Sequence, residues 1–298
     1  MKKDLITIKE LSSKEIKDIF GLTAKLKKNK FSKALAGKTL ALIFQKPSNR
    51  TRVSFEVGMY QLGGNSIYLG PNEISLGVRE SVHDVAKTLS RYVDAIVLRT
   101  FAHENAVELA KFADIPVING LSDYSHPCQA LADIYTIKEK LRNIKGKVLA
   151  YVGDGNNVCN SLIFACAKTG MKINIGSPIG YEPAKDVLAI VGETAKVFNN
   201  PFDAAKGADV IYTDVWTSMG QEEEFVKRKE IFKDYQINKN LVNLANKNVL
   251  IMHCLPAHRG EEITADVIDS QNSVVFDQAE NRMHVQKAIL LKLLGDKK

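Results

Sequence analysis

From Thr39 onward, short aliphatic runs alternate with stretches of helical periodicity, and this alternation restricts the fold more than any other feature. The runs at 39–44, 66–69, 95–99 and 115–118 are read as strands, and the first, Thr39-Leu-Ala-Leu-Ile-Phe44, is continuous enough to be buried on both faces. Helical patterns lie between them, near 51–62, 80–92 and 103–113. Such an order predicts a parallel α/β sheet. A helix capped by Ser12 or Ser13 and running to about Lys28 precedes it. A longer helix, about 128–141, follows His126-Pro127, and Gly146 then punctuates the chain. A second alternation begins, with strands expected at 147–152, 172–176, 196–198, 209–213, 248–253 and 273–276. Helices near 157–169, 183–194, 202–206, 222–233, 239–245 and 264–269 separate them, and an amphipathic helix near 281–294 closes the chain. The expectation is two doubly wound parallel-sheet α/β domains linked by helices, with the active site in the interdomain cleft. Residues 1–140 form one, with a C-terminal helix at 278–298 packed back on it, and residues 141–277 form the other.

The length, 298 residues, suits two domains, and 45% hydrophobic with 25% charged residues is the balance of a globular chain. No apolar run approaches membrane-spanning length, and Met1-Lys-Lys-Asp-Leu-Ile6 lacks a signal-peptide core, so a cytoplasmic location and no membrane partner are expected. Cys128, Cys159, Cys166 and Cys254 form no C-x-x-C pair and read as separate thiols. The net charge of +7 raises the question of nucleic acid. The basic residues are spread over ordinary helices, with no stripe interleaved with aromatics, so no nucleic-acid partner is expected. The positive field would help draw in an anionic substrate.

In open α/β sheets ligands bind at the carboxyl ends of strands. Five strand ends stand out. Phe44-Gln-Lys-Pro-Ser-Asn-Arg-Thr-Arg52 leads from a strand into a helix, where unpaired N–H groups, the hydroxyls of Ser48 and Thr51, and the guanidinium forks of Arg50 and Arg52 suit a phosphate compound. The plain alternative is a capped helix with two solvated arginines. Arg99 ends a strand, as a surface arginine or as a ligand group. His126 and Gln129 start a helix, as capping residues or as groups facing a cleft, where His126 would donate to a carbonyl oxygen. Gly153-Asp-Gly-Asn-Asn157 resembles a dinucleotide fingerprint but lacks the third glycine of G-x-G-x-x-G, and its asparagines suit an amino-acid headgroup. Asp214 ends another strand and could anchor an ammonium group, and Cys254, beside His253, is either a buried inert thiol or a functional one.

Taken together, these motifs resemble the carbamoyltransferases. Ser48-Asn-Arg-Thr-Arg52 resembles their S-x-R-T-R loop and His126-Pro-Cys-Gln129 their H-P-x-Q. Asp214-Val-Trp-Thr-Ser-Met-Gly220 and His253-Cys-Leu-Pro256 resemble the D-x-W-x-S-M-G and H-C-L-P segments of the ornithine-specific members. The resemblance implies carbamoyl transfer from carbamoyl phosphate to L-ornithine, giving L-citrulline and phosphate in arginine metabolism, with no metal and no organic cofactor. It implies that Ser48, Asn49, Arg50, Thr51 and Arg52 grip the phosphate, that Arg99, His126 and Gln129 engage the carbamoyl group, and that Pro127, Cys128, Cys254 and Leu255 also line the carbamoyl phosphate pocket, which Arg282 completes. Asn157, Asp214, Ser218 and Met219 would hold the amino-acid end of ornithine, and Cys254 and Leu255 would lie near the reacting amine. Arg99, His126 and Cys254 are the implied catalytic residues. The family also implies a homotrimer, or an assembly of trimers, with a neighbour's loop at the phosphate.

Two positions depart from the family pattern. Asn49 stands where many members have threonine, and Ser75 where some have a glutamine that contacts the neighbouring subunit. Competing readings are a related transferase for putrescine, aspartate or an acylated ornithine, a nicotinamide oxidoreductase, and a non-catalytic binding protein. The incomplete glycine fingerprint opposes the oxidoreductase, and Asp214 with Ser218-Met-Gly220 favours a free amino-acid headgroup.

Overall fold

A computed structural model of the chain describes residues 3–74, 76–217 and 222–295, and of Glu222 the backbone alone. Ser75, Ser218, Met219 and Gly220 lie outside these residues. The chain divides into two compact units, one of residues up to Ala132 together with those from Glu280 on, the other of Asp133–Ala279.

The first unit opens with α1 (Ser13–Lys28), started by a capping box in which Ser12 Oγ accepts from Glu15 N at 3.2 Å and Glu15 Oε2 accepts from Ser12 N at 2.8 Å. Then come β1 (Thr39–Phe44), α2 (Asn49–Gln61), β2 (Asn65–Leu69), a single turn α3 (Pro71–Ile74), α4 (Val82–Tyr92), β3 (Ala95–Arg99), α5 (His103–Phe112), β4 (Val117–Leu121) and α6 (Pro127–Leu141), which runs on into the second unit. The strands form one parallel sheet in the order β2-β1-β3-β4. Its centre is buried on both faces: Leu40 through Phe44 and Ala95 through Leu98 have no solvent exposure. Val85, Ala86 and Leu89 of α4 and Ala106 and Leu109 of α5 pack on one side of it. The last strand lies later than the 115–118 expected, because Pro116 precedes it and Gly120 admits close pairing. A Cβ at Gly120 would stand 3.0 Å from Val97 Cγ1.

The second unit contains β5 (Val148–Val152), α7 (Asn157–Thr169), β6 (Lys172–Gly176), α8 (Lys185–Val191), β7 (Ala195–Phe198), α9 (Pro201–Ala205), β8 (Val210–Thr213), α10 (Phe225–Phe232), α11 (Lys239–Val242), β9 (Leu250–His253) and α12 (Ala265–Ile268). α13 (Val275–Leu294) starts here and carries the chain into the segment beyond Glu280. The strands form a second parallel sheet, β7-β6-β5-β8-β9. Its core gathers Ala150, Val152, Ile211 and Ile251 with Trp216, Phe232 and Val267.

Two parallel α/β sheets are thus present, as the alternation predicts. The strand expected at 273–276 is not. Ser273 forms only an isolated bridge with Ile251, and from Val275 the chain is already helical, with Gln278 N donating to Val274 O at 2.8 Å. The three-residue apolar run Val274-Val-Phe276 fits strand or helix equally, and the helix-forming residues after it decide the outcome.

Candidate active site

Each sheet reverses its strand order once, and each reversal collects residues singled out above. In the first unit the reversal lies between β1 and β3, so the loops leaving these neighbours part and open a crevice at their carboxyl ends. Ser48 is the N-cap of α2. Its Oγ accepts from Thr51 N at 3.3 Å and donates to Thr51 Oγ1 at 3.1 Å. Thr51 is fully buried and also accepts from Arg282 Nη2 at 3.1 Å. With its lone pairs engaged, the Thr51 hydroxyl keeps its proton for a third partner. Arg282 Nη1 donates to Gln129 Oε1 at 2.8 Å. One fork from α13 therefore ties the start of α2 to the first turn of α6. Asn49 is exposed and Arg50 half-buried. Arg52 lies on the helix surface, donating to Glu56 Oε1 at 3.0 Å with its guanidinium 3.8 Å from the centre of the Tyr68 ring.

Arg99 ends β3 beside Phe44 and is buried. His126 is buried as well, and desolvation, then the charges of Arg282, Arg99 and Arg50, push its imidazole well below the usual 6.5. The ring is neutral at physiological pH and serves as a hydrogen-bonding group among fixed cations. Pro127 is the first residue of α6. The Cys128 thiol, pushed up to about 12 by burial, faces the Asn119 carbonyl at 3.7 Å, so only its backbone is placed to meet a ligand. Lys46, which the sequence reading passed over, adds a buried cation, its Nζ 4.2 Å from the centre of the Phe101 ring. Guanidinium groups, a neutral imidazole and two helix N-termini give this crevice the chemistry that suits a compact anion.

In the second unit the reversal lies between β5 and β8. The loop after β5 carries Gly153–Asn157, and Gly155 is required there: a Cβ would stand 2.2 Å from Pro183 N and 2.4 Å from Glu182 C. Asn157 is the half-buried first residue of α7. Asn156 proves to be the organising residue. Its Oδ1 caps α7 by accepting from Val158 N and Cys159 N, and its Nδ2 donates to Asp214 Oδ2 at 2.9 Å. Asp214 Oδ1 accepts from Val215 N at 2.8 Å and from Cys254 Sγ at 2.9 Å. The register explains that meeting, since Thr213 pairs with His253 and the next residue of each strand is Asp214 and Cys254. The contact needs a proton between sulfur and oxygen, which the thiol supplies.

His253 does not face Asp214 in this way. Its Nε2 lies 3.0 Å from Glu262 Oε1 and its Nδ1 accepts from Leu255 N at 2.8 Å. That bond holds Leu255 in the left-handed region, at a φ of 59°, before a cis bond to Pro256. Nothing in the sequence pointed to Glu262, which meets His253 only through the fold. Arg228 was likewise missed. It donates to Asp154 Oδ2 at 2.9 Å and to Trp216 O at 3.0 Å, fixing both strand-end loops. Desolvation raises Asp154 to about 6 against the pull of Arg228.

A doubly wound α/β enzyme with an anion crevice in one unit and a carboxylate–thiol pair in the other is the class these features define. Residues 3–139 match the model of the aspartate/ornithine carbamoyltransferase carbamoyl-P binding domain, and residues 145–293 that of the Asp/Orn binding domain. The chain belongs to the aspartate/ornithine carbamoyltransferase family, as the motif resemblance implies. It is 53% identical to the ornithine carbamoyltransferase of Pyrococcus horikoshii over 98% of this chain and 96% of that protein. It is 54% identical to that of Bacillus subtilis over 98% and 94%. The solved ornithine carbamoyltransferase from Pyrococcus furiosus superposes with a TM-score of 0.96 at 50% identity, covering 99% of this chain and 98% of that one.

Proposed function

We propose that this protein is an ornithine carbamoyltransferase, moving the carbamoyl group of carbamoyl phosphate to the side-chain amine of L-ornithine to give L-citrulline and phosphate within arginine biosynthesis. The observation that carries the choice of acceptor is the Asp214–Cys254 contact, a carboxylate and a thiol held at adjacent strand ends. Residues 1–140 with the C-terminal segment 278–298 serve as the carbamoyl phosphate-binding domain, and residues 141–277 as the ornithine-binding domain. Ser48, Asn49, Arg50, Thr51 and Arg52 hold the phosphate. Burial and then the charges of Arg282, Arg99 and Arg50 keep His126 neutral, and the presence of these cations beside it supports this role.

As the amine attacks, charge grows on the carbamoyl oxygen, and Arg99, His126 and the Thr51 proton stabilise it by roughly a few kcal/mol per donor. Gln129, Pro127 and Cys128 position the carbamoyl group. Asp214, with Asn157, Ser218 and Met219, holds the amino-acid end, and Cys254 with Leu255 orients the reacting amine. That amine starts near a pKa of ~10 and must lose a proton, a loss favoured by the cations around the donor. No cofactor takes part. A colorimetric citrulline assay with ornithine, putrescine, aspartate and an acylated ornithine tests the reading, and preference for any acceptor but ornithine overturns it.

We further propose a homotrimer or an assembly of trimers. Val53, Val57 and Tyr60 share one face of α2 and are 48%, 36% and 73% exposed, and Phe31 meets Tyr60 edge-on. An apolar helix face of this kind is a contact surface in search of a partner. A cytoplasmic location agrees with the four cysteines, all free thiols. No helix among the described residues is long and apolar enough to cross a membrane.

A further inference from the structure

Beyond Cys254 the chain folds back at 258–263, and the turn is firmly braced. Glu261 N donates to His258 O and Gly260 N to Ile263 O, each at 2.9 Å. Gln236 Nε2 donates to the carbonyls of both Gly260 and Glu261 at 2.9 Å. This frame gathers three ligand-type side chains. His258 Nδ1 lies 3.7 Å from Glu261 Oε2 and 4.0 Å from Glu262 Oε2, and the three atoms are within 4.8 Å of one another.

Exposed acidic groups often cluster with no ligand, but Glu262 is not exposed. Its side chain is fully buried. Oε1 is taken by His253 Nε2 at 3.0 Å and His258 N at 2.6 Å. His253 accepts at Nδ1 from Leu255 N, so it is the neutral tautomer and brings no charge to the carboxylate. Glu262 Oε2 is buried and has no hydrogen-bond partner among the described residues. A buried carboxylate oxygen with no donor is unfavourable unless a cation meets it. Lys229 Nζ does not, since it is 3.0 Å from Glu261 Oε1, on the far oxygen of the neighbouring carboxylate.

We propose that His258 Nδ1, Glu261 Oε2 and Glu262 Oε2 bind a divalent first-row transition cation of the zinc class, with solvent completing its shell. An imidazole nitrogen with two carboxylates suits such an ion, whereas magnesium and calcium take oxygen ligands alone. Ligands about 2.0–2.1 Å from a tetrahedral ion lie roughly 3.3–3.4 Å apart. The half-exposed His258 ring can close its own two separations, and the two carboxylates, within 4.8 Å of each other, close through the partly exposed Glu261 side chain. The site is distinct from the transfer chemistry, but Glu262 is shared: its other oxygen holds the imidazole that sets Leu255.

The test must separate this site from the thiol-containing group Asp214, His253 and Cys254. Metal-stripped full-length Cys254→Ser protein is titrated with ZnCl2 by calorimetry and with CoCl2 by absorption spectroscopy. The same protein carrying His258→Ala or Glu261→Gln is titrated alongside. Matched far-UV circular dichroism verifies the fold first, and His258→Gln replaces His258→Ala should the latter unfold. One site is expected in Cys254→Ser, weakened at least about tenfold by either added substitution. In the wild type the first equivalent of cobalt should give ligand-field bands without thiolate charge transfer. No binding in Cys254→Ser, affinity indifferent to the changes at 258 and 261, or a thiolate band at the first equivalent each overturns the proposal.

Discussion

Cys254 and Asp214 meet because two paired strands end in step, so the two side chains should act as one unit on the acceptor. Asp214→Asn is expected to weaken ornithine binding by about 2 kcal/mol or more while carbamoyl phosphate binding changes little. Cys254→Ser should lower turnover and alter the titrating limbs of the pH–rate profile. Because Sγ and Oδ1 are in contact, the double variant should lose less than the sum of the two losses. Steady-state kinetics on all four proteins decides this, and additivity within about 0.5 kcal/mol would disprove the coupling. His126 gives a test on stability. Its folded imidazole is held well below 6.5, whereas in the unfolded chain it takes a proton near that pH. The unfolded state thus binds more protons below about pH 6.5, so the stability contributed by neutral His126 is complete above that pH and is lost as the pH falls. Urea unfolding from about pH 7.5 down to about pH 5 should be shallower in His126→Gln than in the wild type, by up to about 1.4 kcal/mol per pH unit. Identical slopes would place the imidazole in solvent.

Among the elements, the loop from β5 to α7 depends most on one residue. Gly155→Ala would drive a methyl group into the backbone of Glu182 and Pro183, which cannot yield as a side-chain tip can. The loop and its Asn156 cap should shift, lowering stability by about 2 kcal/mol or more and loosening ornithine while sparing carbamoyl phosphate. Urea denaturation and separate substrate titrations measure both effects, and a variant equal to the wild type in each would refute the crowding. This loop also marks the limit of what the sequence discloses. Its glycines and asparagines stood out from composition and spacing alone, yet Asn156, given no role of its own by the sequence, is the one seen to hold Asp214. The strand periodicity revealed both sheets, because parallel strands buried on two faces are continuously aliphatic. It failed at 273–276, where three apolar residues after Ser273 carry no period of their own. Ser48 is the helix cap of its plain reading, and that role leaves its part in holding phosphate a proposal. The contacts of His253 with Glu262 and of Arg228 with Asp154 left no trace in the sequence, since only the tertiary fold brings those residues together.

At the scale of the molecule, the apolar face of α2 makes the clearest prediction. Tyr60→Glu should shift light scattering from a trimer toward a monomer and reduce activity, since a charge on that face opposes its burial. A wild-type protein already monomeric at working concentrations would remove the proposal. The arrangement of the first unit bears also on how the chain is made. Arg282, which ties Thr51 to Gln129, comes from the segment beyond Glu280, as do Asn281, bonded to Lys27 at 2.9 Å, and Lys287, bonded to Gln61 at 2.8 Å. A ribosome adding about 5–20 residues per second delivers that segment only after the whole of Asp133–Ala279. The unit that is synthesised first is therefore the one completed last. A nascent chain stalled short of Glu280 carries the second unit's entire sequence, while α1 and α2 still wait for the side chains that will hold them. The anion crevice is then a late product of translation, closed only when α13 has left the tunnel.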